Sequence, residues 1–319
     1  DDLSLEEREP AHGYTQNPVI STSTSTDNHP PEAAIDPDPA TSWHSGALAE
    51  DQWLLLDFLA PREYGGLVID WDPDDYAVDY QVQASNDGAN WQPAYTVRDG
   101  NGQRDYLYLA DAESRYLRLN LQRSSRGRGY GIGQLRVQSY QFSSSPNQFF
   151  EAVARAAPRG LYPRYFQGEQ CYWTVIGVSG DSKEALINED GALEVDKDGF
   201  TIEPFLFADG RLITWADVDA RQDLAQGYLP IPTVRWEHES YWLSITAFAT
   251  GKPGESALYA RYRLENLSAG TRHVTLYLAV RPFQVNPPWQ SLNMSGGVVP
   301  IHDLKYADRV GPMRHLEHA

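Results

Sequence analysis

An acidic loop near the start of the chain carries oxygen atoms of the kinds that bind a hard cation. The stretch DPDPAT, residues 36–41, contains Asp36, Asp38 and the Thr41 hydroxyl, together with backbone carbonyl groups. Calcium takes about six to eight oxygen ligands of these kinds. A turn rich in aspartate and proline needs no ion, however, because both residue types favour turns for reasons of their own. A calcium site and an ordinary turn therefore remain as alternatives.

A second group of charged residues lies on two later loops. QRSSRGRGYG contains Arg126 and Arg128, and WDPDDYA contains Asp74 and Asp75. A guanidinium group can bind two vicinal hydroxyl groups, or the carboxylate of a uronic acid, through paired hydrogen bonds. The same arginines can instead form ion pairs with the acidic loop in a solvated turn. The sequence leaves ligand binding and ion pairing open.

Overall charge and composition exclude several classes of function. The 319 residues carry a formal net charge of −18, so we do not expect a nucleic acid as partner. The single cysteine, Cys171, cannot form an internal disulfide framework, and we interpret it as a small buried residue. No apolar run approaches the roughly 20 residues that cross a bilayer. The compartment is not determined by the sequence, and an extracytoplasmic location, secreted or periplasmic, is favoured.

Alternating apolar and polar residues predict an all-β chain with two β-sandwiches. The short alternating segments of the first part are WLLLDF, GGLVIDW, YQVQAS, DYLYLA, YLRLNL and QLRVQS. Longer alternating segments in the second part predict a larger antiparallel sandwich, with hairpin turns at NEDG and ADG. The predicted regions are a polar tail (1–13), a first sandwich (14–142), a linker helix (143–160), a second sandwich (161–300) and a short C-terminal segment (301–319).

The linker helix has a clear start signal and a clear end signal. Ser145 can cap it, Pro146 suits its first position, and Gln148 completes a capping box. Pro158 and Gly160 are expected to end it. The helix therefore separates the two predicted sandwiches.

The order of motifs from Ala33 to Val137 resembles the coagulation factor V/VIII type C, or discoidin, domain in its bacterial carbohydrate-binding form. The matching pieces are AAIDPDPATSW, DQWLLLDF, LVIDW, YAVDYQVQASNDGANW, RYLRLNL and GYGIGQLRV. The resemblance implies an eight-stranded jelly-roll sandwich with a ligand surface on the loops at one end. It also implies that Trp43, Trp53 and Trp91 belong to the core, and it leaves Trp71 open.

The resemblance implies a sugar site in which a histidine, an arginine and an aromatic residue on adjacent loops hold a galactose-like ligand. The residues expected to form it are His44, Asp75, Tyr76, Arg126, Arg128 and Tyr130. It further implies a structural calcium ion at Asp36, Asp38 and Thr41, completed by an acidic residue near the last strand. This chain has Gln134 at that position, which can ligate through its amide oxygen but supplies one negative charge fewer.

The second region resembles, in architecture and in strand–turn phrases, the β-sandwich that precedes the helical toroid of six-hairpin glycoside hydrolases and phosphorylases. The resemblance implies that a C-terminal catalytic domain completes the parent protein, and we interpret the chain as a piece of it. No HExxH, G-x-S-x-G or P-loop motif is present. Acidic residues such as Glu189, Asp190 and Glu203 are interpreted as solvated, since they fall mainly in turns.

These observations predict a non-catalytic, carbohydrate-binding part of a glycan-active bacterial protein, with a glycan or oligosaccharide as its partner. One alternative is a complete glycosidase with a cleft at the domain junction. Another is a protein-interaction or adhesion module that binds no sugar. Membrane binding of the phosphatidylserine type is a minor alternative, because the first region has no cysteine and no evident loop of exposed apolar residues.

Overall fold

The chain forms an all-β molecule that divides into two compact units, Asp1–Phe149 and Phe150–Ala319. The computed structural model describes residues 17–46, 52–197, 199–290, 296–304 and 316–317. Within these residues no helix combines the length and the apolar character that crossing a membrane requires.

The first unit contains one antiparallel, seven-stranded sheet that folds around a single core. The strands pair in the order β2-β7-β3-β6-β4-β5, and β1 pairs with β3. Their bounds are β1 Val19–Thr22, β2 Trp43–His44, β3 Gln52–Trp71, β4 Ala77–Ser85, β5 Gln92–Val97, β6 Arg104–Ser124 and β7 Gly131–Gln138. Along β3 alternate residues such as Leu54 and Leu56 are buried, which is the pattern of a strand with one face on the core.

Two long, bent strands each contain two of the segments that the sequence predicts, and the sheet of the first unit has seven strands. WLLLDF and GGLVIDW are the two halves of β3, while DYLYLA and YLRLNL are the two halves of β6. Their pairing register shifts between Asp57 and Arg62, where the strands bend. Just after this bend, position 66 requires a glycine, because a Cβ atom there would collide with the backbone carbonyl of Leu107.

Two of the tryptophans in the first unit are buried, and two are half-buried. Trp43 is fully buried, as predicted, and Trp71 is buried with its indole N–H donating to Asp105 at 2.7 Å. The core prediction is wrong for Trp53 and Trp91, which are only half-buried and lie outside the core cluster of the first unit. Trp53 lies on the outward side of the alternating strand β3, and the guanidinium group of Arg118 stacks 4.0 Å from the Trp91 ring centroid.

The helix α1, Pro146–Ala156, begins as the capping signal predicts. The backbone N–H of Gln148 donates to Ser145 Oγ at 3.2 Å. Phe149 packs against Phe142 and Tyr108, with ring centroids 5.2 Å and 5.4 Å apart. Among the described residues, the short 3₁₀ helices are Pro31–Ala34, Tyr140–Ser143, Arg164–Gln167, Trp215–Asp217 and Ala225–Gly227.

The second unit packs two antiparallel sheets around a core that includes Trp236, Leu243 and Ile245. One sheet has the order β12-β11-β10-β9-β8 with β17 beside β11, and the other has the order β13-β14-β15-β16. The strands are β8 Trp173–Gly177, β9 Glu184–Asn188, β10 Leu193–Glu194, β11 Thr201–Ala208, β12 Arg211–Ile213, β13 Asp219–Leu224, β14 Pro232–Glu237, β15 Tyr241–Lys252, β16 Glu255–Asn266 and β17 Val274–Arg281. A separate short pair consists of β18 Asp303–Leu304 and β19 Leu316–Glu317.

The predicted hairpin turns of the second unit are confirmed. ADG joins β11 to β12 with Asp209 at φ 51° and Gly210 at φ 79°, a backbone conformation that suits this dipeptide. NEDG joins β9 to β10, with Gly191 at φ 82°. Cys171 is buried, as predicted.

The prediction that the acidic residues of the second unit are solvated is wrong for Asp190 and Glu203, because half-buried arginines form ion pairs with both carboxylates. Arg164 Nε donates to Asp190 Oδ2 at 2.8 Å, and Arg281 Nη1 donates to Glu203 Oε2 at 2.9 Å. The Asp190 and Glu203 side chains are only 5% and 8% exposed. Burial raises the pKa of both carboxyl groups, and the arginines oppose that rise.

Candidate functional site

Two loops of the first unit meet the end of β2 at one end of the sheet. His44 ends β2 and pairs with Gly131, the first residue of β7. The loop 72–76 joins β3 to β4, and Ala77 at the start of β4 pairs with Ser124 at the end of β6. Strand pairing therefore brings together the ends of β2, β3 and β6 with the loops that follow β3 and β6.

His44 and Asp72 form the centre of this loop cluster. His44 Nε2 lies 3.6 Å from Asp72 Oδ2 and 3.1 Å from the hydroxyl of Ser42. The His29 ring packs beside the His44 ring, with the centroids 4.3 Å apart. Asp72 and His29 were missed in the sequence, although Asp72 is part of the same WDPDD phrase that contains Asp75.

The Asp72 carboxylate has two separate environments. Its Oδ1 accepts hydrogen bonds from the backbone N–H groups of Asp74 at 2.8 Å and Asp75 at 3.1 Å, which fixes the loop. Its Oδ2 faces His44, and the side chain is 26% exposed. One oxygen therefore stabilises the loop, while the other is directed at the surface of the cluster.

Gly131 allows His44 and Asp72 to lie side by side. A Cβ atom at this position would be 2.6 Å from Asp72 Cβ and 3.0 Å from His44 Cε1. The first distance is shorter than packed carbon atoms allow, so any larger residue must displace one of the two side chains. The glycine is therefore part of the geometry of the site.

Both predicted arginines form ion pairs with the acidic loop, which is the pairing that the sequence left as an alternative to ligand binding. Arg128 Nη2 donates to Asp75 at 3.0 Å, and Arg126 pairs with Asp74. The two arginine side chains are 59% and 49% exposed. Exposed ion pairs stabilise by only about 0–1 kcal/mol, so a ligand can share or replace these partners at small cost.

The two predicted tyrosines lie mainly inside the sandwich. Tyr130 is 3% exposed and belongs to the core, and its backbone N–H donates to Ser45 Oγ at 3.0 Å. Tyr76 is half-buried and covers Gly102. The Tyr130 ring therefore supports the loop from below and presents no face at the surface.

Electrostatics keep His44 neutral near neutral pH. Burial lowers the pKa of His44, and His29 lowers it further, whereas Asp72 and Asp75 oppose the shift. A neutral imidazole has one donor and one acceptor nitrogen. Ser42 and Asp72 both contact the same nitrogen, Nε2, whereas a hydrolytic triad needs them on opposite nitrogens. The arrangement suits binding of hydroxyl groups better than nucleophilic catalysis.

The four residues of the predicted calcium site also lie together. The Thr41 hydroxyl donates to the Asp36 carboxylate at 2.8 Å, and Gln134 Nε2 donates to the backbone carbonyl of Asp36 at 2.8 Å and of Asp38 at 3.3 Å. Hydrogen-bond donors of the chain are thus directed at the oxygens that a cation would use. Among the described residues, no three or more His, Cys, Asp or Glu side chains are grouped to hold a metal ion.

The first unit can be assigned to a known family of domains. Residues 19–147 match the F5/8 type C domain. This F5/8 type C domain includes both the loop cluster and the loop 36–41, and the resemblance noted in its motifs is confirmed. No curated protein sequence matches the chain.

Similar solved structures are carbohydrate-binding modules. Chitosan-binding module 2 of a chitosanase/glucanase from Paenibacillus sp. IK-5, in complex with chitotriose, is 26% identical over 40% of this chain and 100% of the module, with a TM-score of 0.38. The family 32 module from C. perfringens NanJ, in complex with galactose, is 18% identical over 38% of this chain and 92% of the module, with a TM-score of 0.34. The resemblance noted for the second region stays a prediction.

Proposed function

We propose that the F5/8 type C domain binds a carbohydrate at the loop cluster of His44, Asp72, Asp75 and Arg128. The observation that carries the proposal is the meeting of a neutral imidazole, a partly exposed carboxylate and a guanidinium group at one end of the sheet. Sugar hydroxyl groups donate and accept hydrogen bonds, so this mixture of polar groups is complementary to them. The family match supports the same conclusion.

Each side chain has a distinct task in the proposed complex. Neutral His44 and Oδ2 of Asp72 accept hydrogen bonds from neighbouring hydroxyl groups. Arg128 uses Nε and Nη2 on Asp75, and its Nη1 group has no partner among the described residues. That group can donate to a further hydroxyl oxygen while the ion pair stays intact. The pair therefore orients the arginine for the ligand.

The charge of the domain favours a neutral or an amino sugar over a uronic acid. Residues 19–147 contain 18 Asp and Glu residues, nine arginines and no lysine. A polyanionic glycan meets net repulsion at such a surface. The uronic acid considered from the sequence is therefore the weaker candidate.

The ligand class can be tested by isothermal titration of the whole chain with matched oligosaccharides. Chitotriose and galactose are suitable first probes because related modules are seen with them, and an oligogalacturonide supplies the anionic comparison. We expect measurable binding of at least one uncharged or amino sugar and no stronger binding of the oligogalacturonide. Preferential binding of the anionic glycan would contradict the charge argument without contradicting the site.

The site itself can be tested by His44→Ala and Arg128→Ala. Each substitution is expected to lower sugar affinity about tenfold, which corresponds to roughly 1.4 kcal/mol of lost contacts. The matched control is Arg115→Ala, which removes an arginine bonded to Asp57 at 2.9 Å and 3.0 Å near Tyr116, beside the far end of β4. If neither His44→Ala nor Arg128→Ala changes the sugar affinity, the site lies elsewhere. The same conclusion follows if Arg115→Ala lowers the affinity by as much as they do.

We further propose that the chain delivers a glycan-active parent protein to its substrate and does not itself cleave the glycan. The carboxylates of Asp190 and Glu203 are buried and form ion pairs with arginines. His44 lacks the geometry of the base in a catalytic triad. Incubation of the chain with the sugar that it binds is expected to release no product. Hydrolysis by the chain alone would favour the alternative of a complete glycosidase.

A further inference from the structure

The side-chain amide of Gln134 connects the loop 36–41 to β7. Nε2 of Gln134 donates to the carbonyl oxygen of Asp36 at 2.8 Å and to that of Asp38 at 3.3 Å. The family resemblance implies a calcium ion at this same loop. An N–H donor and a cation compete for the same carbonyl lone pairs. Gln134 therefore uses acceptors that the ion would need.

Further oxygens of the loop also accept hydrogen bonds from the chain. The Asp36 carboxylate accepts from the Thr41 hydroxyl at 2.8 Å and 2.9 Å and from the backbone N–H of Asp38 at 3.0 Å. Asp38 Oδ1 accepts from the backbone N–H of Ala40 at 2.9 Å. Calcium requires about six to eight oxygens directed at one point. These oxygens face protons of their own loop, so the arrangement does not fit the ion.

The orientation of the Gln134 amide and the presence of a cation are linked. With Oε1 turned toward the loop, three oxygen atoms from Gln134, Asp36 and Asp38 would face one another without a proton between them. That orientation becomes favourable only if a cation lies among them. With Nε2 toward the loop, the amide itself supplies the positive end of the interaction, as the structure shows.

We propose that the side-chain amide of Gln134 takes the place of a bound cation, so that the F5/8 type C domain holds its first loop on β7 without calcium. With a glutamate at position 134, the loop would need a cation to stay attached to β7. Its carboxylate has no donor for the two carbonyl oxygens, and only a cation between them would restore the attachment. The identity of one residue thus decides whether the loop depends on a metal.

Thermal unfolding of the whole chain, in excess calcium and in excess chelator, tests the proposal. The natural chain is expected to melt at the same temperature in both. Gln134→Glu is expected to melt lower than the natural chain in chelator and to regain about 3 °C or more when calcium is added. Gln138→Glu is the matched control, because it adds the same charge to β7 four residues away from Gln134, and it should show no response to calcium.

Two outcomes would overturn the proposal. The first is a natural chain that melts higher with calcium than with chelator, which would mean that the ion binds despite the amide. The second is a Gln134→Glu chain that remains as insensitive to calcium as the natural one, which would mean that the amide does not stand where a cation can bind. The first measurement needs no substitution and holds even if the variant fails to fold.

Discussion

Arg281→Met is expected to lower the free energy of unfolding of the second unit by about 3–5 kcal/mol, because it leaves Glu203 buried without its partner. Arg281 Nη1 donates to Glu203 at 2.9 Å and to the carbonyl oxygen of Leu161 at 2.6 Å. The Arg281 guanidinium group also stacks 4.7 Å from the Phe283 ring centroid. Methionine keeps much of the apolar packing and removes the charge, so the loss measures the uncompensated carboxylate.

The penalty should depend on pH with a definite sign. Burial already holds the pKa of Glu203 above its ordinary value of 4.5, and loss of Arg281 removes an opposing influence. A carboxyl group with a raised folded-state pKa binds its proton more tightly in the folded chain. Stability therefore falls as the pH rises from about 4.5 through the folded-state pKa. The destabilisation by Arg281→Met should be small in mild acid and largest at neutral pH.

Calorimetric unfolding at a series of pH values would measure this loss. Arg263→Met is the control, since Arg263 pairs with Glu265 on the exposed strand β16 with its own side chain 67% exposed, and it should cost less than about 1 kcal/mol. The double variant Arg281→Met with Glu203→Gln should recover part of the loss, because the buried group is then uncharged. A penalty that is equal at all pH values would contradict the electrostatic explanation.

Local patterns predicted the strands and hairpins well, but not the continuity of the longest strands. Pro61 interrupts the alternation of β3, and a proline inside a strand pattern normally marks its end. In the structure the chain passes this point with Leu59 at φ 68°, and β6 bends near Asp111 at φ 51°. Positive φ is uncommon for a leucine, so the residue type does not predict this turn. Leu59 is 45% exposed, and its backbone N–H donates to Asp57 Oδ1 at 2.8 Å, a local contact that stabilises the turn.

For the residues of the proposed site and for the buried polar groups, the sequence likewise does not show which distant residues become their partners. His44 could be chosen because it adjoins a motif that resembles a known family, but Asp72 and His29 become its neighbours only through strand pairing and loop packing. Glu203 looked like a surface residue because its partner Arg281 is 78 residues away in the chain. Residue type and spacing therefore predict which elements form, while the partners of a polar side chain depend on which distant strands meet.

The loop cluster can also be tested by a substitution that removes none of the polar groups of the proposed site. Gly131→Ala is expected to lower sugar affinity about tenfold or more, because its Cβ atom would be 2.6 Å from Asp72 Cβ and 3.0 Å from His44 Cε1. Binding groups must be held within about 0.5 Å of their productive positions, and the extra methyl group forces a larger shift. The backbone of Gly131 is not left-handed, so alanine adds no backbone strain.

Gly133→Ala is the matched control on the same strand. A Cβ atom at Gly133 would meet only the carbonyl oxygen of Asp70 at 3.4 Å, an ordinary contact, and its backbone is also not left-handed. Both variants should melt within a few degrees of the natural chain, while only Gly131→Ala should bind sugar weakly in calorimetric titration. Equal affinity of the two variants would mean that the spacing of His44 and Asp72 is unimportant for the ligand. Weak binding by Gly131→Ala alone would locate the sugar at these two side chains.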